Sequence, residues 1–222
     1  MTDLRLDFSE LTENPTARLP ICLVLDVSAS MYGDKIDELN RAVRRFFDEV
    51  RADEFTLDAA DISIVTFGRK VQQVMDFASV DRQSVPLLTP EGTTPMGQAV
   101  NLALDVLEGR KKMYQSVGVD YFQPWMVLMS DGAPTDSIDH ATHRCCALES
   151  QKKLSVFSVG IGHQASLQSL SQFTNRSAFK LKGLNFTEFF EWLSQSMSAT
   201  SRSIPGDEMD VMPQDLSKWA EL

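Results

Sequence analysis

The chain has 222 residues, 31 acidic and 21 basic side chains, a formal net charge of −10, and 43% hydrophobic residues. That length and apolar content suit one packed domain that needs no disulfide or metal staple. The acidic balance argues against bulk nucleic-acid binding, which requires a basic stripe facing phosphates, and against docking on anionic membranes, which requires polybasic segments. Cation binding, basic partners and plain solubility stay open.

Cys22, Cys145 and Cys146 are an odd, irregularly spaced set, no disulfide framework, and point to a reducing compartment. Met1–Asp7 lacks the basic and apolar regions of a secretory signal. No apolar run approaches the roughly 18 residues of a membrane span. A soluble cytoplasmic protein is the expectation.

Residues 1–17 are polar and interrupted by Pro15, and read as a lead segment. Leu19–Leu25 is a short continuous apolar run, which predicts a strand buried on both faces. It ends at Asp26. Ile36, Leu39, Val43, Phe46, Phe47 and Val50 recur at three- and four-residue steps and predict a helix, with Gly33-Asp34 as its start signal. Residues 62–67 and 71–75 read as two strands separated by Gly68-Arg69-Lys70, a hairpin spacing. The second is polar enough for an edge strand.

Residues 81–94, with Pro86, Pro90 and Gly92, read as a loop, and a helix starts near Pro95. Its apolar positions are Met96, Ala99, Val100, Ala103, Val106 and Leu107. Pro124–Met129 predicts another buried strand, ending at Ser130-Asp131-Gly132. A helix over 139–151, a strand over 154–159, a short helix around 165–173 and a short strand over 178–181 follow. The last helix carries Phe186, Phe189, Phe190, Leu193 and Met197. Residues 204–222 form an acidic tail that reads as weakly ordered, with Trp219 able to dock it.

Strands alternate with helices over 18–203, which predicts one α/β domain: a doubly wound, mostly parallel sheet with helices on both faces and one short antiparallel edge strand. Such sheets bind ligands at the carboxyl ends of strands, near a topological switch point. Two strand ends carry acids here, Asp26-Val27-Ser28-Ala29-Ser30 and Asp131-Gly132, and Gly92-Thr93-Thr94-Pro95 opens a helix between them. The set offers carboxylates and hydroxyls, the oxygen donors of a hard divalent cation. Two converging carboxylates without a cation would repel. Alternate residues of an extended stretch face one way, so Asp26, Ser28 and Ser30 can share a side. The plainer reading is a helix-cap cluster, since Ser and Asp are favoured caps.

With these residues in view, the chain resembles the von Willebrand factor A domain carrying a metal-ion-dependent adhesion site. The family pattern is D-x-S-x-S after the first strand, a Thr in a later loop and an Asp in a strand-ending T/S-D-G. The resemblance assigns Asp26, Ser28, Ser30, Thr94 and Asp131 as metal residues. Thr94 is preferred to Thr93 because the family Thr usually follows a G-x step. It implies a Rossmann-like fold, Mg²⁺ (or Mn²⁺ or Ca²⁺) with an open coordination position, and a protein partner that donates an Asp or Glu carboxylate. Asp26 and Asp131 act directly or through water.

A narrower resemblance is to TerY-like proteins, stand-alone bacterial A domains of tellurite-resistance and stress loci. It rests on Arg18–Pro20, Leu25–Met31, Asp61–Phe67 and Gln123–Asp136, with Pro134-Thr135-Asp136 the most informative extension. Ser130 stands where Thr is common. Such proteins look like non-enzymatic adaptors, some linked to a kinase and a phosphatase.

Other chemistry is weaker. Gly160-Ile161-Gly162-His163-Gln164-Ala165 nearly fits a dinucleotide fingerprint, but no acid ends the next strand to hold a ribose. His140, His143, Cys145 and Cys146 lack the spacing of a structural zinc site. No nucleophile elbow or P-loop is present. A metal-dependent phosphohydrolase using the same acids is the alternative, disfavoured because no histidine flanks Asp26 or Asp131 in sequence.

Overall fold

The computed structural model describes residues 11, 14, 16–206 and 219–221. Most of the expected lead segment and most of the expected tail lie outside the described residues. The apolar run becomes β1, Leu19–Asp26, buried at every position. Its side chains divide by period two. Leu19, Ile21, Leu23 and Leu25 join one core cluster, and Cys22 and Val24 join the other. The first cluster is covered by α1 (Asp34–Ala52) and later by α6 (Phe186–Ser201), where Phe46 meets Phe190 at 5.2 Å between ring centroids. The second is covered by α3 (Met96–Val117) and α4 (Asp139–Ser150).

A short α2 (Glu54–Ala59) leads into β2 (Ala60–Phe67), which pairs in parallel with β1 from Leu19↔Ala60 to Asp26↔Phe67. β3 (Val71–Met75) folds back antiparallel on β2 as the partly exposed edge the sequence predicts. The loop 83–95 is tied down by buried Asn40 of α1. Its amide nitrogen donates to the Leu88 carbonyl at 2.9 Å, and its amide oxygen accepts from the Leu88 N–H at 2.8 Å.

After α3 the chain crosses to the other side of β1. β4 (Trp125–Ser130) pairs in parallel with β1, and β5 (Ser155–Gly160) with β4. The short α5 (Leu167–Leu170) precedes β6 (Phe179–Leu181), parallel to β5. A second antiparallel edge follows at β7 (Ala220–Glu221), beyond the single edge strand expected. Trp219 beside it is 1% exposed and packs on Phe179, Phe189 and Trp192.

The sheet order is β3-β2-β1-β4-β5-β6-β7. The chain runs outward one way from β1 to β2 and the other way from β4 to β6, so the switch point lies between β1 and β4. Asp26 and Asp131 stand at the carboxyl ends of those two strands.

Two elements show less in the pattern. α2 is too short for a helical period to register. α3 runs on to Val117, past the last expected apolar position. Its second half buries Arg110 and Tyr114, whose polar ends both donate to the buried Asp61 carboxylate. No helix among the described residues is long and apolar enough to cross a membrane.

Candidate metal centre

Asp26 ends β1 fully buried. The next backbone turns immediately, so the Ser28 N–H donates to Asp26 Oδ1 at 2.8 Å. The Ser130 hydroxyl, at the end of β4, donates to Asp26 Oδ2 at 2.5 Å. The carboxylate thereby joins the two central strands. Burial pushes its pKa above the ordinary carboxylate value, the hydrogen bonds from Ser130 and Ser28 act against that, and the Asp131 charge adds to the rise.

The main chain of this turn is fastened on two sides. Val27 N–H donates to the Phe67 carbonyl at 2.8 Å, while Glu91 N–H donates to the Val27 carbonyl at 2.7 Å and Ala29 N–H to the Gly92 carbonyl at 3.0 Å. The segments approach so closely that a Cβ on Gly68 would stand 2.6 Å from the Val27 carbonyl oxygen and 2.5 Å from that of Glu91. Only glycine fits there.

Ser28 and Ser30 then bring their hydroxyl oxygens within 2.9 Å, and the Ser30 hydroxyl donates to Asp131 Oδ1 at 2.6 Å. Asp131 is 1% exposed and Ser30 open to solvent. Asp26, Ser28, Ser30 and Asp131 are thus brought together at the switch point, as oxygen donors with one solvent-facing side.

Thr94 arrives from the loop before α3. It is buried, whereas Thr93 is exposed. Its hydroxyl oxygen lies 3.7 Å from where a Cβ on Gly132 would stand, so it faces the Asp131-Gly132 turn. No hydrogen bond among the described residues joins it to either carboxylate. The segment after β4 holds it instead: Thr94 N–H donates to Thr135 Oγ1 at 3.2 Å, and Thr135 N–H to the Thr94 carbonyl at 2.9 Å. Asp136 completes this clamp. Its two oxygens accept from Gly97 N–H at 3.0 Å and Gln98 N–H at 2.8 Å, satisfying free donors at the start of α3.

Sequence reasoning missed Lys35. Its ammonium donates to Asp131 Oδ2 at 2.5 Å and to the Ser30 carbonyl at 3.2 Å. A cation in the first turn of a helix runs against the helix dipole, and that mismatch was the available signal. Lys35 also tests the site. A positive group already rests on the carboxylate of an all-oxygen donor set, so the residues present fit a hard divalent cation.

The competing clusters serve packing. A Cβ on Gly160 would stand 2.7 Å from Leu167 Cδ2 and 2.9 Å from Ala165 Cβ, so the glycine turn after β5 lets the next segment pack closely. Cys145 is buried, Cys146 Sγ donates to the Gln172 carbonyl and His140 Nδ1 pairs with Asn101. Among the described residues, no group of three or more His, Cys, Asp or Glu side chains is placed to hold a metal. A cleft of about 1400 Å³ opens where β4 and β5 begin, at Trp125 and Ser155, and shares no residue with the strand-end constellation.

The fold and the strand-end site define an A-type α/β domain. The family model of the von Willebrand factor type A domain matches residues 21–192, and the chain belongs to that family. Solved structures agree on the fold. The von Willebrand domain of the type V pili tip protein Mfa5 from Porphyromonas gingivalis aligns with a TM-score of 0.63 at 12% identity, over 88% of this chain and 99% of that one. Manganese-loaded TRAP protein of Plasmodium vivax aligns with a TM-score of 0.52 at 19% identity, over 70% and 62%. Proximal thread matrix protein 1 from the mussel byssus, solved with zinc occupying its MIDAS motif, aligns with a TM-score of 0.55 at 16% identity, over 82% and 48%. The chain therefore spans about half the length of the mussel protein. No curated protein matches the sequence.

Proposed function

We propose that this chain is a divalent-metal-dependent protein-binding module, non-enzymatic, working as an adaptor. The carrying observation is the convergence of Asp26, Ser28, Ser30 and Asp131 on one cation-bearing spot at the switch point. The Ser28, Ser30 and Thr94 hydroxyls and the Asp26 and Asp131 carboxylates are the donors that would hold Mg²⁺, or Mn²⁺ or Ca²⁺, with the carboxylates acting directly or through water. The bound ion supplies a Lewis-acidic position that accepts an Asp or Glu carboxylate of a partner protein. Uncharged hydroxyl donors leave the ion electron-poor, which favours that incoming carboxylate. The A-domain family often binds a metal in this way and mediates protein contacts, which supports the reading.

The resemblance of Leu25–Met31 and Gln123–Asp136 to TerY-like proteins extends it to a cytoplasmic role in a bacterial stress or tellurite-resistance system, beside a kinase and a phosphatase. Two outcomes test the core of the proposal. Calorimetry should register Mg²⁺ or Mn²⁺ binding that is lost in Asp131→Ala. Partner retention should vanish with chelator and in Asp26→Ala. Equal retention in all conditions refutes it. Metal-stimulated turnover of a generic phosphate ester, lost in Asp131→Ala, would replace it with the hydrolase alternative.

A further inference from the structure

We propose that Lys35 is a built-in competitor for the metal, an ammonium on a tether that the divalent ion must displace from Asp131. This rests on the metal reading above. Both oxygens of Asp131 are engaged: Oδ1 accepts from Ser30, and Oδ2 accepts from Lys35 at 2.5 Å. An ion that uses Oδ2 exchanges places with the ammonium. The pair is asymmetric, since the Asp131 side chain is 0% exposed and that of Lys35 26%. The carboxylate stays; the lysine has water to swing into.

The placement of Lys35 supports a specific purpose. It is the second residue of α1, where the dipole disfavours a cation, and Asp34 and Asp37 in the same turn are the acids expected there. Its stem passes over the turn after β5, where the nearest atom to a Cβ on Gly162 is Lys35 Cε at 3.9 Å. The side chain is laid across the site mouth from α1 towards β5. It does not project straight out from the helix.

The charge count gives the consequence. Two carboxylates and one ammonium leave one net negative charge at the site. A divalent ion turns that to one positive, with the ammonium nearby and repelling it. A partner's carboxylate cancels the excess. Lys35 therefore weakens the ion alone and makes ion and partner carboxylate bind each other's way.

The test is calorimetric titration with Mn²⁺ alone, on the full chain as wild type, Lys35→Met and Lys35→Arg, with free Mn²⁺ counted by paramagnetic resonance. Lys35→Met keeps the stem and removes the charge. It should bind Mn²⁺ about tenfold more tightly, and Lys35→Arg should bind close to wild type. Melting in chelator checks that each variant folds, and Mn²⁺ should raise the melting temperature most in Lys35→Met. Binding by Lys35→Met that equals or falls below wild type overturns the inference and leaves the metal reading intact. So does Lys35→Arg behaving like Lys35→Met. No binding by any of the three at millimolar Mn²⁺ removes the metal reading and the inference with it.

Discussion

Replacing Asp136 with alanine should loosen the start of α3 and, through it, Thr94. The wild-type carboxylate accepts two backbone N–H bonds, from Gly97 at 3.0 Å and Gln98 at 2.8 Å, across 39 and 38 residues of sequence. Losing a capping side chain costs about 0.5–2 kcal/mol. Losing an acid at a helix N-terminus costs about 0.3–1 kcal/mol more. Asp136 is half-buried and provides both bonds, so the sum for Asp136→Ala is about 1–3 kcal/mol. For a chain of this size that lowers the melting temperature by about 2–12 °C. Asp136→Asn keeps one acceptor and should fall between. Thermal and urea melts measure the stability, and Mn²⁺ calorimetry should show weaker binding because Thr94 lies two residues before the helix. A melting temperature within about 1 °C of wild type, with metal affinity unchanged, would show that the carboxylate does not hold the loop.

Gly97→Ala should reverse the usual helix preference. Alanine ordinarily stabilises a helix interior by about 1 kcal/mol over glycine, but here the new Cβ would stand 2.2 Å from the Ser137 carbonyl oxygen. The expected result is a loss of about 1–3 kcal/mol in urea melts, and a midpoint at or above wild type refutes the close approach. Arg110→Leu leaves the buried Asp61 carboxylate without the Arg110 Nε bond at 2.6 Å. It should cost about 3–5 kcal/mol, and adding Asp61→Asn should restore part of that; full additivity would deny the coupling.

Asp26 carries a pH signature. Its folded pKa is raised, chiefly by burial, above the ordinary 3.8. Between those two values the folded state holds more protons than the unfolded one, so metal-free stability falls as pH rises through that window. Asp26→Asn escapes this. In chelator its stability advantage should grow from pH about 4 upward and level off above the folded pKa. A constant difference across that range contradicts the assignment. The same variant should bind no metal.

The strands were legible because β1, β2 and β4 are buried on both faces, and continuous apolar runs record that directly. The acids Asp26 and Asp131 stood out because they end those runs. The D-x-S-x-S spacing survived as a shared side of one turn, with Ser28 and Ser30 hydroxyls 2.9 Å apart. What stayed hidden depends on distant partners. β7 is two residues long and pairs with a strand about forty residues earlier. Lys35 looks like an ordinary surface lysine until Asp131, 96 residues on, is folded against it. The second half of α3 lacks an apolar stripe because its inward groups, Arg110 and Tyr114, are polar and serve a buried acid.

The site's location also fixes when it can come into being. Asp26 is joined to Ser130 across 104 residues, and Ser30 to Asp131 across 101. β1 has no complete set of neighbours until both β2 and β4 have docked in parallel, the slow, non-local kind of pairing. A chain emerging from the ribosome holds the first donors long before the last. An ion held by these residues as proposed would therefore not seed the fold, as zinc does in small metal-dependent domains. Its binding would be a late event, open only to a molecule whose central strands have already assembled.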